Sequence, residues 1–249
     1  MSFWLSQMDA VDWLASLPNE SVDMVSVDPA YESLEKHRAV GTTTRLKHSA
    51  ASSNDWFAIF KNDRFPALFA ELHRVMKRQT HLYFFCDQET MFIAKPIGEA
   101  AGFRFRKPLV WDKQKIGMGY SYRARYEFVL YFEKGPGKRR LNDLSIPDVL
   151  RVERVRNGYP TEKPVELNEI FVKQSTQPGE IVIDPFMGSG SAGVAACKNG
   201  RVFWGNDLSP KSVEITRARL AVLGESEAAP VFDTAPPPPQ RGDGASSSP

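Results

Sequence analysis

Hydrophobic positions along this chain fall into short runs and helical stripes that alternate from near the N-terminus to about residue 223. Val11, Leu14, Ala15 and Leu17 recur at helical spacing, and Pro18-Asn19-Glu20 breaks the pattern. Residues 22–27 form a mostly apolar run, the pattern of a strand covered on both faces. An amphipathic helix is predicted over 65–77, carried by Leu68, Phe69, Leu72, Val75 and Met76. A buried strand over 81–86 follows, then a helix over 89–101 ending before Gly102. Further strands are predicted over 103–111 and 126–132. A helix over 164–174, a strand over 181–183, a helix over 191–198 and a strand over 202–204 come next. Ser209 and Pro210 have the residue types of an N-cap and first position for a last helix.

Such alternation predicts an α/β fold: an open, mostly parallel sheet with helices on both faces, whose ligands sit beyond the carboxyl ends of the strands. Two segments interrupt the pattern. Residues 33–54 are polar and aperiodic, a long loop of the kind that is functional or mobile. From Gly224 onward the chain is rich in Pro, Ser and Gly, with four consecutive prolines, and is expected to be a disordered tail over 224–249.

Composition narrows the class. No run approaches the roughly 18 apolar residues of a membrane helix, and Met1-Ser2-Phe3-Trp4 does not open like a secretory signal. Two cysteines, Cys86 and Cys197, provide neither a disulfide framework nor metal-ligand spacing, so no metal is expected and a cytoplasmic setting fits. The net charge is +2, yet residues 104–156 carry fourteen Lys and Arg against six Asp and Glu. That concentration is what a phosphate-binding surface requires. A solvated face with dispersed charges is the plainer alternative.

Two predicted strands end in Asp-Pro. In the second, Asp184-Pro185-Phe186-Met187-Gly188-Ser189-Gly190 leads into a helix, and Asp207 lies about twenty residues on, at the end of the next strand. Glycines let backbone approach a ligand, a helix N-terminus offers N–H groups, and the later carboxylate can accept from ribose hydroxyls. Gly193 occupies the third glycine position of a dinucleotide fingerprint, so spacing leaves a nicotinamide cofactor open. Asp184-Pro185-Phe186 has no part in pyrophosphate binding and suits a ligand with an amino-acid end, as in S-adenosyl-L-methionine.

In the first, Asp28-Pro29-Ala30-Tyr31, a carboxylate and a backbone carbonyl are placed to hold the two hydrogens of an amino group. That favours attack by a poorly nucleophilic nitrogen. An aromatic ring can stack on a base drawn out of the duplex. A turn with Asp as helix cap is the plainer reading of the tetrapeptide alone.

Together these motifs resemble the N6-adenine/N4-cytosine DNA methyltransferases, in the group whose catalytic motif precedes the cofactor motif (the beta class). The resemblance runs from about Asp9 to Leu223. It includes Leu17-Pro18-x-x-Ser21-Val22-Asp23, the segment Arg125-Tyr126-Glu127-Phe128-Val129-Leu130, and Pro160-Thr161-Glu162-Lys163-Pro164. It implies a Rossmann-like methyltransferase fold with a seven-stranded sheet, one strand reversed, in a catalytic domain over 1–223. Asp28, Pro29 and Tyr31 would be catalytic. Asp184, Phe186, Gly188, Ser189, Gly190 and Asp207 would bind S-adenosyl-L-methionine, with Lys163 and Pro164 at its methionine end. Asp28 in the first catalytic position points to adenine N6, with cytosine N4 the alternative. Ala30 stands where the family has a second proline, and Tyr159 where it often has His.

By the same resemblance, target recognition falls in a short segment over 134–159. Arg123, Arg125, Lys138, Arg139, Arg140, Arg151, Arg154 and Arg156 are the candidate contacts to double-stranded DNA. A homodimer, a cognate restriction endonuclease and association with the nucleoid are further expectations of the group. RNA or protein amino groups as substrate, a nicotinamide-dependent oxidoreductase and an inactive DNA-binding regulator are the competing classes. His37, His48, His73 and His81 are scattered in loops or core and form no catalytic arrangement with Asp.

Overall fold

A computed structural model describes residues 2–33, 58–117, 122–137, 139–156, 161–230 and 232. Most of the polar loop over 33–54, Lys138, Tyr159 and residues 233–249 of the C-terminal tail lie outside the described residues. The strands are β1 (Ser2–Ser6), β2 (Val22–Val27), β3 (Met76–Cys86), β4 (Phe103–Asp112), β5 (Tyr126–Lys134), β6 (Val149–Arg151), β7 (Ile181–Asp184), β8 (Val202–Asn206) and β9 (Ser226–Glu227). The helices are α1 (Ala10–Ser16), α2 (Phe65–Val75), α3 (Gln88–Ala100), α4 (Val165–Ser175), α5 (Ser191–Lys198) and α6 (Pro210–Val222).

All nine strands join one sheet in the order β6-β4-β5-β3-β2-β7-β8-β1-β9. Only β5 runs against its neighbours, antiparallel to both β3 and β4. Seven strands make the body, as expected, and the three-residue β6 and two-residue β9 extend its two edges. The central strand β2 is buried along its whole length, which is why its sequence lacks the two-residue alternation of a half-exposed strand. Val25 and Val27 enter a core formed with α1 and α2, around Trp13, Phe65 and Phe69. Met24 enters the opposite core with α4 and α5, around Phe171 and Ala195.

Local sequence explains the ends of these elements. Asp9 caps α1 by accepting from Val11 N–H, Asp87 caps α3 by accepting from Thr90 N–H, and Ser209 caps α6. Pro96 lies inside α3, on a helix that holds because its ends are capped and Ala94 and Gly98 pack inward.

Two features lie outside the pattern read from the sequence. Phe3-Trp4-Leu5 forms a strand: β1 pairs with β8 over Phe3–Phe203 to Ser6–Asn206 and covers the sheet edge. The body also does not stop at residue 223. Ser226 and Glu227 pair with β1, Ala228 N–H donates to Phe3 O at 2.8 Å, and Phe232 packs edge-on against Trp4 and Trp204. Local composition conceals this because the strand consists of two polar residues whose pairing partner lies at the other end of the chain.

Candidate active site

The carboxyl ends of β2, β7, β8 and β1 open onto one cleft of about 430 Å³, in the range of small-molecule sites. Asp28, Pro29 and Tyr31 line it from one side, and Asp184, Phe186, Gly188, Ser189 and Asp207 from the other. The two Asp-Pro loops, over 150 residues apart in sequence, therefore face the same space.

The catalytic-type loop is held on both flanks. Tyr31 donates its hydroxyl to Asp28 Oδ1 at 3.1 Å, and Lys163 Nζ donates to Asp28 Oδ2 at 2.5 Å. Phe60 N–H donates to Ala30 O at 2.9 Å, fixing the backbone where the second proline is missing. Burial raises the Asp28 carboxyl above its ordinary value; Lys163 opposes this and Glu127 adds to it. Burial, followed by the nearby Asp28 charge, pushes the Tyr31 hydroxyl well up, so it stays a neutral donor.

The glycine loop works through its backbone. Gly188 and Gly190 have φ of +51° and +77°, the left-handed region that favours glycine. Gly188 lines the cleft, whereas Gly190 lies behind it: a Cβ there would meet Thr216 Cγ2 at 2.5 Å. Gly193 also serves packing, since a Cβ would meet the Phe203 ring at 2.6 Å. Asp207 accepts from Gly188 N–H at 2.9 Å through Oδ2 and from Ser209 N–H at 2.8 Å through Oδ1, tying the loop to the end of β8. Burial raises the Asp207 carboxyl, and raises that of Asp184 well above the usual range. Asp184 accepts from Phe186 N–H at 2.9 Å and has no direct ion-pair partner among the described residues. A buried carboxylate of this kind is stabilised by a ligand bearing positive charge.

Several expected residues fall elsewhere. Pro164 is buried and does not line the cleft; it precedes α4 and sets the direction of Lys163. Lys163 meets Asp28, so in this structure it serves the catalytic-type carboxylate. Arg125 forms a two-pronged pair with Asp112, at 2.6 and 2.7 Å, and Arg139 binds Glu180. Their charge is already balanced within the chain. Arg156 lies 3.8 Å from Glu153, both well exposed. Arg123, Arg140, Arg151 and Arg154 are exposed to solvent.

Sequence reasoning missed Glu127, Asp9, Phe60 and Asn168, all of which line the cleft. Glu127 lies at the start of the reversed strand β5, and reversal brings the beginning of that strand to the edge where the parallel strands end. Asp9 follows β1 in the same way; Arg64 grips both its oxygens, at 2.8 and 2.7 Å, and lies 4.7 Å over the Phe60 ring. Phe60 in turn meets Phe186 edge-on, with ring centres 5.1 Å apart.

An α/β sheet with one reversed strand thus brings two acidic loops together at its carboxyl edge, around a cleft of small-molecule size. The chain belongs to the DNA methylase family, of the N6/N4 type: the family model matches residues 22–218. Among curated proteins it is 27% identical to the DNA adenine methyltransferase YhdJ of Escherichia coli, over 88% of this chain and 83% of that one. Among solved structures it superposes on a DNA modification methylase of Thermus thermophilus solved with S-adenosyl-L-methionine, with TM-score 0.64 and 20% identity, over 89% and 95% of the two chains. It superposes likewise on the cytosine-N4-specific PvuII DNA methyltransferase, with TM-score 0.68 and 16% identity, over 91% and 95%. Among the described residues no helix is long and apolar enough to cross a membrane, and no cluster of His, Cys, Asp and Glu could hold a metal ion.

Proposed function

We propose that this chain transfers a methyl group from S-adenosyl-L-methionine to the N6 amino group of adenine in double-stranded DNA, acting on a base flipped out of the helix. The observation that carries the reading is the shared cleft, lined by Asp28 and Tyr31 together with the glycine loop, the buried Asp184 and the half-buried Asp207.

The cofactor fits the donor set. Asp184 would hold its ammonium end, the Ser189 N–H its carboxylate, and Asp207, through the lone pairs left by the Gly188 and Ser209 N–H groups, its ribose hydroxyls, with Phe186 against the adenine. When bound, S-adenosyl-L-methionine supplies a methyl group activated by a sulfonium. The chain supplies the placement. Asp28 accepts one amino hydrogen of the base and the backbone carbonyl of Pro29 accepts the other, so the nitrogen becomes tetrahedral and its lone pair is withdrawn from the ring π system. Tyr31 orients Asp28 through its hydroxyl and offers the base an aromatic face. As the N–CH₃ bond forms, the nitrogen sheds a proton, and Asp28 is the acceptor in contact with it.

Asp28 favours adenine over cytosine, and the adenine methyltransferase YhdJ supports that choice among the relatives. The exposed Arg123, Arg140, Arg151 and Arg154 suit phosphates and guanine edges along the DNA. Mass spectrometry of nucleosides from DNA and RNA treated with the protein tests the reading. N6-methyladenine in DNA is expected. N4-methylcytosine without it overturns the base, and product in RNA alone overturns the substrate. Asp28→Ala should abolish transfer while S-adenosyl-L-methionine still binds by calorimetry.

A further inference from the structure

The charges behind Asp28 form a chain that the proposed chemistry does not use. Lys163 Nζ lies 2.5 Å from Asp28 Oδ2 and 3.5 Å from Glu127 Oε2. Glu127 is held by its other oxygen, Oε1, which accepts from Lys113 Nζ at 2.5 Å. Glu127 Oε2 is buried without a hydrogen-bond partner. Its contact with Lys163 is about 0.7 Å longer than an ordinary charge-assisted hydrogen bond, so a small movement of the ammonium would complete it. The lysine side chain is 11% exposed, and its ammonium lies 5.3 Å from the centre of the Phe85 ring, with an acid on either hand.

The position of the ammonium adds a second consideration. On the proposed reading, the acceptor oxygens of Asp28 are where an amino group of the target base must bind. Tyr31 occupies Oδ1 and Lys163 occupies Oδ2. An amino group arriving at Asp28 Oδ2 must share that oxygen with the ammonium, and Glu127 offers the ammonium another seat without sending it into water.

We propose that Lys163 and Glu127 are a positioning pair for the catalytic carboxylate: Lys163 holds Asp28 oriented in the empty site, then swings onto Glu127 when the base amino group arrives. This deepens the methyltransferase reading and rests on it for the arrival of the base; the charge coupling among the three residues does not.

Electrostatics agree with the geometry. Burial alone would lower the Lys163 ammonium, but Asp28 and Glu127 outweigh it and raise it, so the lysine stays charged throughout. Burial likewise pushes Glu127 up, but Lys163 and Lys113 bring it below the ordinary carboxylate value. The groups facing Asp28 are therefore Tyr31 on its own loop, Glu127 from β5, Lys163 ahead of α4 and, more weakly, Asp184 from β7, with Cys86 at the end of β3 kept neutral by burial. Removing the cation and removing the second anion must act on Asp28 in opposite senses, and a fall in kcat at steady KM when the second anion is lost separates a moving ammonium from two fixed charges.

The test is a pair of variants of the full chain, Lys163→Met and Glu127→Gln. Each is followed by carbon-detected NMR titration of the Asp28 carboxyl, assigned with Asp28→Asn, and by kcat against pH. In Lys163→Met the carboxyl midpoint and the acidic limb of kcat should move to higher pH by about one unit or more. In Glu127→Gln both should move lower. There kcat at neutral pH should also fall roughly tenfold while KM for DNA changes less than about threefold, because the ammonium has lost its second seat. Shifts in the same direction, or none, overturn the proposal. So does a Lys163→Met variant that loses only cofactor affinity, which would assign the lysine to the ligand. If Lys163→Met does not fold, the fall in kcat of Glu127→Gln at steady KM for DNA decides alone, and an unchanged kcat overturns the proposal. If the wild-type protein methylates nothing, the function above fails, and the NMR midpoints still judge the charge coupling.

Discussion

Replacing Gly190 by alanine tests the glycine loop at its most constrained point. The residue has φ +77° and ψ +26°, and the added Cβ would lie 2.5 Å from Thr216 Cγ2 and 2.6 Å from Thr216 Oγ1. Two costs follow. Holding an L residue in the left-handed region costs about 1–2 kcal/mol. Forcing a methyl into filled space costs about 1–3 kcal/mol. The sum, about 2–5 kcal/mol, is a large share of the roughly 5–15 kcal/mol that keeps a domain folded. A protein of this size should lose roughly 2–4 °C of Tm for each kcal/mol. Thr216→Ala separates the two costs. It removes both close atoms and gives up the hydrogen bond from Thr216 Oγ1 to Gly188 O at 3.1 Å, worth about 0.5–1.5 kcal/mol. In that background Gly190→Ala should keep its backbone cost and lose most of its packing cost, since two of the three close atoms are gone and Thr216 Cβ, at 2.9 Å, is left to shift. Urea unfolding followed by tryptophan fluorescence gives the four stabilities. A coupling of about 1–3 kcal/mol is expected, and additivity within about 0.5 kcal/mol would refute the packing account.

Two other outcomes follow from the same site and surface. Because burial raises the Asp28 carboxyl and transfer needs it ionised, kcat should be full above that raised value and fall as pH drops through it, at a higher pH than an ordinary carboxylate near 3.8 would give; a limb at or below that value contradicts the reading. DNA affinity should fall steeply with salt, and Arg140→Ala or Arg154→Ala should each lower the log–log slope by about one. Arg139→Ala, whose guanidinium is bound to Glu180, should lower stability and leave the slope nearly unchanged, and salt-insensitive binding would assign the basic segment to something else.

The elements whose pattern is local were legible in the sequence. Residues 191–198 read as a helix from the apolar stripe after the glycines, and that is α5; residues 126–132 and 181–183 read as strands and extend by one or two residues into β5 and β7. The residue types and order of the two Asp-Pro loops showed that both end strands, and an α/β sheet brings such ends to one edge. What could not be read depends on pairing across the chain. β1 is five residues whose strand character comes from lying between β8 and β9, and its role in leading the chain to Asp9 is invisible until that neighbour is known. Glu127 could have been found by asking where a reversed strand begins. Lys163 was singled out by resemblance and does line the cleft, but the sequence did not say that its ammonium meets Asp28. Arg125 and Arg139 show the limit of counting charges: a run of basic residues does not reveal which of them already have acidic partners.

β1 and β9 lie side by side, so the two ends of the folded body are neighbours. A short peptide could join them, and new termini could be opened between Arg156 and Thr161, after β6 and before α4. Every strand pairing would survive, yet the rewired polypeptide would be synthesised with the glycine loop first and Asp28 last. The order in which the two motifs appear along a gene is thus a matter of where this closed circuit is cut, and the chemistry at its centre is indifferent to the choice.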